Sequence, residues 1–196
     1  MMERIAEASP RLKARIAGVF YLLTFLTGGV ALFVRGRLGF AAGLIAGACY
    51  IAVTLLFYGI FKPVNRNLSL LAAFISLVGI IIGPLSLLHL APSNLNPLVF
   101  FGFYCLLIGY LIFRSTFLPR ILGALMAIGG LGWLIFLSPP LANHLAIYID
   151  VPGIGAQVAL ILWLLVFGVN VPRWREQAVA AGIHVAGSTH GRPESM

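Results

Sequence analysis

Residues 67–113 read NLSLLAAFISLVGIIIGPLSLLHLAPSNLNPLVFFGFYCLLIGYLIF, a stretch without a single Lys, Arg, Asp or Glu. An α-helix rises 1.5 Å per residue, so about 20 apolar residues cross the ~30 Å hydrocarbon core of a bilayer. The stretch is too long for one crossing. It is interrupted by Ala91-Pro92-Ser93-Asn94-Leu95-Asn96-Pro97, whose prolines and short polar side chains favour a turn. Two crossings joined by that turn are expected, at 68–90 and 97–113. They are expected to be helical, because a helix satisfies its backbone N–H and C=O groups within the segment, as lipid requires.

The same pattern extends both ways. Upstream, residues 16–34 and 38–61 are uncharged runs separated by Arg35 and Arg37, and the second ends at Lys62, Pro63 and Arg66. A cleaved signal peptide competes for the first run, but the run exceeds a usual signal core and no Ala-x-Ala site follows, so an uncleaved helix is expected. Downstream, Arg114, Pro119 and Arg120 precede a fifth run at 121–138, which Pro139-Pro140 is expected to stop. A loop carrying Asn143, His144, Tyr148, Asp150 and Pro152 follows, with room for a short interfacial helix. The sixth run, 153–171, ends at Pro172 beside Arg173, Trp174 and Arg175, and the small, polar residues 176–196 are expected to form a mobile tail. The expected fold is all-α: a polytopic transmembrane bundle of about six membrane-spanning helices, with residues 1–175 as one domain.

Composition agrees with that reading. Apolar residues make up 61% of the chain, charged residues 9%, and the mean hydropathy is +1.04. So few charges cannot cover the surface of a water-soluble domain of this size. The net charge of +8 sits in connectors, and no basic stripe interleaved with aromatics lies on a polar element. Lipid headgroups are therefore the expected partner, and nucleic acid is not. Arg15, Lys62, Arg66, Arg114, Arg120, Arg173, Trp174 and Arg175 all fall on one side of a six-helix topology as interfacial anchors, against Arg35 and Arg37 on the other. The excess places both termini in the cytoplasm. Cys49 and Cys105 lie inside apolar runs and read as small hydrophobes, with no Cys-x-x-Cys or disulfide framework.

Gly39, Gly43 and Gly47, like Gly79 and Gly83, recur every four residues. Such stripes let helix backbones approach closely, so these glycines are expected to serve helix packing within the bundle, with a homo-oligomer contact as the alternative use. Tyr58-Gly59-Ile60-Phe61-Lys62 and Tyr110-Leu111-Ile112-Phe113-Arg114 also look alike, fitting either a duplicated hairpin or two ordinary aromatic-plus-basic helix ends.

The phrases at 15–24 (RIAGVFYLLT), 109–115 (GYLIFRS) and 118–123 (LPRILG) resemble those of a bacterial membrane family, domain-of-unknown-function family 4386, and the 63–71 stretch is similar too. The connector after the first helix is shorter here than in many members. The resemblance implies a multi-pass protein of the bacterial cytoplasmic (plasma) membrane and supplies no catalytic residues.

None of the expected crossings carries an ionisable group near its centre, which argues against proton- or ion-coupled transport. Thr24, Thr54, Ser76, Ser86 and Gln157 form a modest polar set that suits either a path for a neutral solute or ordinary helix contacts. His89, His144 and Asp150 fall together on the outer side, the one place where metal, haem or acid–base chemistry has candidate groups. Their spacing gives no motif; Ser86 or Ser93 lacks a Gly-x-Ser-x-Gly turn, and no phosphate-cradling loop occurs. The expected function is a non-enzymatic scaffold or binder of lipid or another apolar ligand, with no cofactor. The rivals are a small permease for a neutral solute and a membrane enzyme or metal protein built on the outer His and Asp group.

Overall fold

The computed structural model describes residues 9–34, 36–87, 90 and 96–183. Within them the regular elements are all helical: α1 (Pro10–Phe33), α2 (Arg37–Phe61), α3 (Arg66–Leu87), α4 (Pro97–Arg114), α5 (Arg120–Trp133) continued by a 3₁₀ turn at Leu134–Leu137, α6 (Pro139–Val166) and α7 (Val171–Ala180). Five helices, α1 to α5, are long and apolar enough to cross a membrane. A sixth is reached if Asp150–Val166 is taken together with α7, into which it bends by 100°.

Local chemistry sets the helix starts. The Ser9 side chain accepts from the Leu12 N–H at 3.3 Å, Asn65 from Leu68 at 3.0 Å, Asn96 from Leu98 at 2.9 Å and Asn170 from Arg173 at 3.2 Å. Each satisfies a first-turn donor that the helix itself cannot. Pro10, Pro97 and Pro172 occupy first-turn positions, where a missing N–H costs nothing.

The same rule corrects the 139–152 region. Instead of stopping a helix and opening a loop, Pro139-Pro140 starts α6, with the Ala142 N–H bonded to the Ser138 carbonyl at 3.0 Å. The helix then runs through Pro152 to Val166, ending five residues before the expected boundary at 171. Gly168 closes it: its φ of +67° is the left-handed conformation favoured after a helix end, and its N–H bonds the Trp163 carbonyl at 3.1 Å. The stretch assigned to a tail from Glu176 is helical as far as Ala180; residues 184–196 lie outside the described residues, as does Arg35.

Consecutive helices pack in chain order and α1 packs on α6, which closes the six long helices into a ring. Tyr21, Phe57, Tyr104, Ile108, Leu160 and Leu164 are among its buried residues. The outside is apolar as well: Leu32, Phe33, Leu38, Phe74, Ile121 and Leu131 are all more than half exposed. An apolar exterior wrapped around an apolar core is the pattern of a protein whose solvent is lipid.

One end of the ring is fastened across elements. Arg15 donates to the Val166 carbonyl at 3.1 Å, the Trp174 indole to Ile60 at 2.9 Å, and the Asn170 N–H to Phe117 at 3.2 Å. This end also carries Lys62, Arg66, Arg114, Arg120, Arg173 and Arg175, so it is the basic end.

Candidate functional site

The structure does not assemble the outer His and Asp group. His89 lies outside the described residues. His144 and Asp150 share α6, but six residues of helix rotate one from the other by about 120° around the axis. His144 is exposed, whereas one Asp150 oxygen is buried without a hydrogen-bond partner among the described residues. Among the described residues no three His, Cys, Asp or Glu side chains converge as metal ligands.

A cavity of about 510 Å³ lies instead between α1, α2, α3 and α4. Its lining draws on the second half of α1 (Thr24), the first half of α2 (Gly43, Gly47, Tyr50), the second half of α3 (Ser76, Gly79, Gly83, Ser86) and the first half of α4 (Leu98, Phe101, Tyr104). The cavity therefore occupies the half of the bundle opposite the basic end. Its size lies in the range of small-molecule sites.

The small-residue stripes account for this space. A Cβ added to Gly43 would come no nearer than 3.7 Å to Ala31, one at Gly47 would meet Ile80 at 3.7 Å, and one at Gly83 would meet nothing within 4 Å. These three glycines line the cavity, and none of them presses against a neighbouring backbone. Gly79 is tighter, 3.2 Å from the Phe100 Cβ, and a side chain at Gly39 would overlap the Val34 carbonyl oxygen, so Gly39 belongs to the α1–α2 turn.

Backbone-close packing occurs between α4 and α5. A Cβ on Gly109 would fall 2.8 Å from the Gly123 oxygen, and one on Gly102 would fall 3.0 Å from the Gly130 oxygen. Each pair, Gly102 with Gly109 and Gly123 with Gly130, is spaced by seven residues, two helical turns, and a search for four-residue spacing passes over it.

Beside the cavity, hydrogen-bonded side chains join three helices. The Tyr21 hydroxyl (α1) donates to the Gln157 amide oxygen (α6), and the Gln157 Nε2 donates to the Cys105 Sγ (α4) at 3.2 Å. Tyr50 (α2) packs between Tyr21 and Tyr104 at ring-centroid distances of 5.8 Å each. The Tyr50 hydroxyl lies within interacting reach of the Tyr21 and Tyr104 hydroxyls, and the Ser86 hydroxyl has no hydrogen-bond partner among the described residues. At the cavity floor Thr54 and Ser76 bond to each other at 2.7 Å, and Thr54 also donates to the Tyr50 carbonyl at 2.9 Å. Below them Phe57 meets Phe61 edge-on at a ring-centroid distance of 5.7 Å, and Phe61 meets Phe117 tilted at 6.1 Å. Of the five residues considered for a polar path, Thr54 and Gln157 are thus engaged with partners inside the bundle, while Thr24, Ser76 and Ser86 line the cavity.

The expected anchors do gather at the basic end, with distinct local roles. Arg15 donates to the last carbonyl of α6, that of Val166, Arg173 donates to the Thr116 carbonyl at 3.3 Å, and Arg120 sits over the Phe113 ring at 5.7 Å. Lys62 caps α2 through its backbone, and Arg66 and Arg175 are exposed.

Comparison with known proteins agrees with the resemblance carried by the sequence phrases. An uncharacterised protein of Archaeoglobus fulgidus is 28% identical over 125 residues, covering 60% of this chain and 76% of that protein. No solved structure matches. The model of the family described as a domain of unknown function, DUF4386, matches residues 34–95 and 93–168, spanning all the cavity-lining helices except α1, and the chain belongs to that family.

Proposed function

We propose that this protein is a non-enzymatic binder that holds a neutral, apolar molecule from the surrounding bilayer in the α1–α4 cavity. The cavity itself carries the reading: about 510 Å³ bounded mainly by small and apolar residues, in a bundle whose outside is itself apolar. Ser86, whose hydroxyl has no partner among the described residues, and the lining tyrosines Tyr50 and Tyr104 offer such a ligand a few polar contacts at otherwise greasy walls. Closure below the floor, by the Thr54–Ser76 bond and the Phe57–Phe61–Phe117 ring contacts, favours holding over conducting. The basic end would face the cytoplasm across a cytoplasmic membrane, by the excess of positive charge there, with lipids as the immediate partners.

Native mass spectrometry of the gently purified full chain tests this. The wild type is expected to carry an apolar mass. In Gly83→Phe the ring enters the cavity without a Cβ clash and should displace it, whereas Gly155→Phe, on the exposed face of α6, should not. Equal retention in Gly83→Phe and wild type, or a bare wild-type polypeptide, would refute the reading.

A further inference from the structure

At the basic end a second cavity, of about 290 Å³, is lined by Val64, Phe113, Arg114, Arg120 and Gln177. It joins the α2–α3 turn, the α4–α5 turn and α7, three elements distant in sequence. Its side-chain groups left free to hydrogen-bond are donors. The Gln177 amide oxygen is already engaged twice, accepting from the Thr116 N–H and from its hydroxyl, each at 3.2 Å. That leaves the Gln177 NH₂ as the group free to serve the pocket. Arg114 and Arg120 add two guanidiniums, and among the described residues no carboxylate lines the space with them. Arg120 is steadied over the Phe113 ring, which fixes one guanidinium at the pocket wall.

Two guanidiniums and an amide NH₂ around a space that no described carboxylate lines fit a multivalent oxyanion. Arginine forks match phosphate oxygens two at a time, and hydrogen bonds to a charged group are stronger than neutral ones. We infer that the Arg114–Arg120–Gln177 pocket is a binding site for a phosphate group at the basic end of the bundle, carried by an anionic lipid headgroup or by a free phosphate. Val64 and Phe113, the apolar part of the wall, would accept the first carbons of a lipid chain, and Phe113 is itself half exposed on the outside of the bundle. This site is independent of the α1–α4 cavity.

The experiment is native mass spectrometry of the full chain in detergent micelles, titrated separately with phosphatidylglycerol and with inorganic phosphate. Wild type should take up one equivalent that resists displacement. Arg114→Gln together with Arg120→Gln should weaken it at least about tenfold, since hydrogen bonds to a charge account for one to two decades of affinity when lost. Arg66→Gln and Arg175→Gln, exposed cations of the same end but outside the pocket, supply the control and should change it by less than twofold. Loss of phosphatidylglycerol alone identifies the lipid headgroup, and loss of inorganic phosphate as well identifies a free-phosphate site; both support the inference. Losses no larger in the pocket double variant than in the controls would overturn it, as would wild type binding neither probe.

Discussion

Gly109→Ala isolates the feature that holds α4 against α5. The added methyl would lie 2.8 Å from the Gly123 carbonyl oxygen and 2.9 Å from the Ala127 backbone nitrogen. Both neighbours are backbone atoms of a helix, so neither can rotate aside. Reaching an ordinary contact requires the two helices to part locally by about half an ångström, which forfeits a quarter or more of the dispersion well for each facing atom pair. With overpacking in cores costing about 1–3 kcal/mol and alanine worth up to about 1 kcal/mol more than glycine within a helix, the net loss is about 1–2 kcal/mol. Gly59→Ala and Gly155→Ala receive the same alanine advantage with nothing within 4 Å of the new methyl, and should be neutral or slightly stabilised. Equilibrium unfolding by sodium dodecyl sulfate in mixed micelles, followed by circular dichroism, measures all three. A Gly109→Ala midpoint at or above that of Gly155→Ala would refute the argument that α4 and α5 are in backbone contact.

Three further outcomes follow from the polar contacts. Gln157→Leu strands the buried Tyr21 hydroxyl and should cost about 1–3 kcal/mol in the same assay, with Tyr21→Phe in the same chain restoring part of it; strict additivity of the two would deny the bond. Thr54→Val breaks the 2.7 Å bond to Ser76 and should cost about 1 kcal/mol, while an unchanged midpoint would mean that bond contributes nothing net. Trp174→Phe removes the indole bond to the Ile60 carbonyl, so α7 should lift from the bundle more often and trypsin should cleave at Arg173 or Arg175 about fivefold faster; equal cleavage rates would show that the indole does not hold α7 down.

The helical, membrane-suited character of the chain was legible in residues 67–113 alone, because a helix lets an uncharged run of that length satisfy its backbone in lipid. The Pro97 start and the Arg114 end also agree closely between sequence and structure, since a proline in the first turn and a basic last turn are local signals. Pro139 misled for the same reason turned round: a proline pair marks a boundary, but whether it closes one helix or opens the next depends on whether the following residues find helical partners, and here Ala142 does. Likewise Pro172 ends the sixth run yet begins α7, whose Trp174 and Gln177 bond residues more than fifty positions away.

Sequence by itself determined the number and character of the long helices, the gathering of Arg and Lys at one end and the family, all of which depend on composition and short-range pattern. The tertiary structure decided what each polar or small residue does. Glycines at four-residue spacing signal closeness in general, but the α2 and α3 stripes border a cavity, while the glycines in true backbone contact repeat every seven residues on α4 and α5. His144 and Asp150 are close along the chain, yet the helix turns them to different faces. Arg114, Arg120 and Gln177 are far apart along the chain, yet the ring of helices and the 100° bend into α7 bring them to one pocket. Those placements depend on helix rotation and on which neighbours close the ring, long-range quantities that no local run of residues encodes.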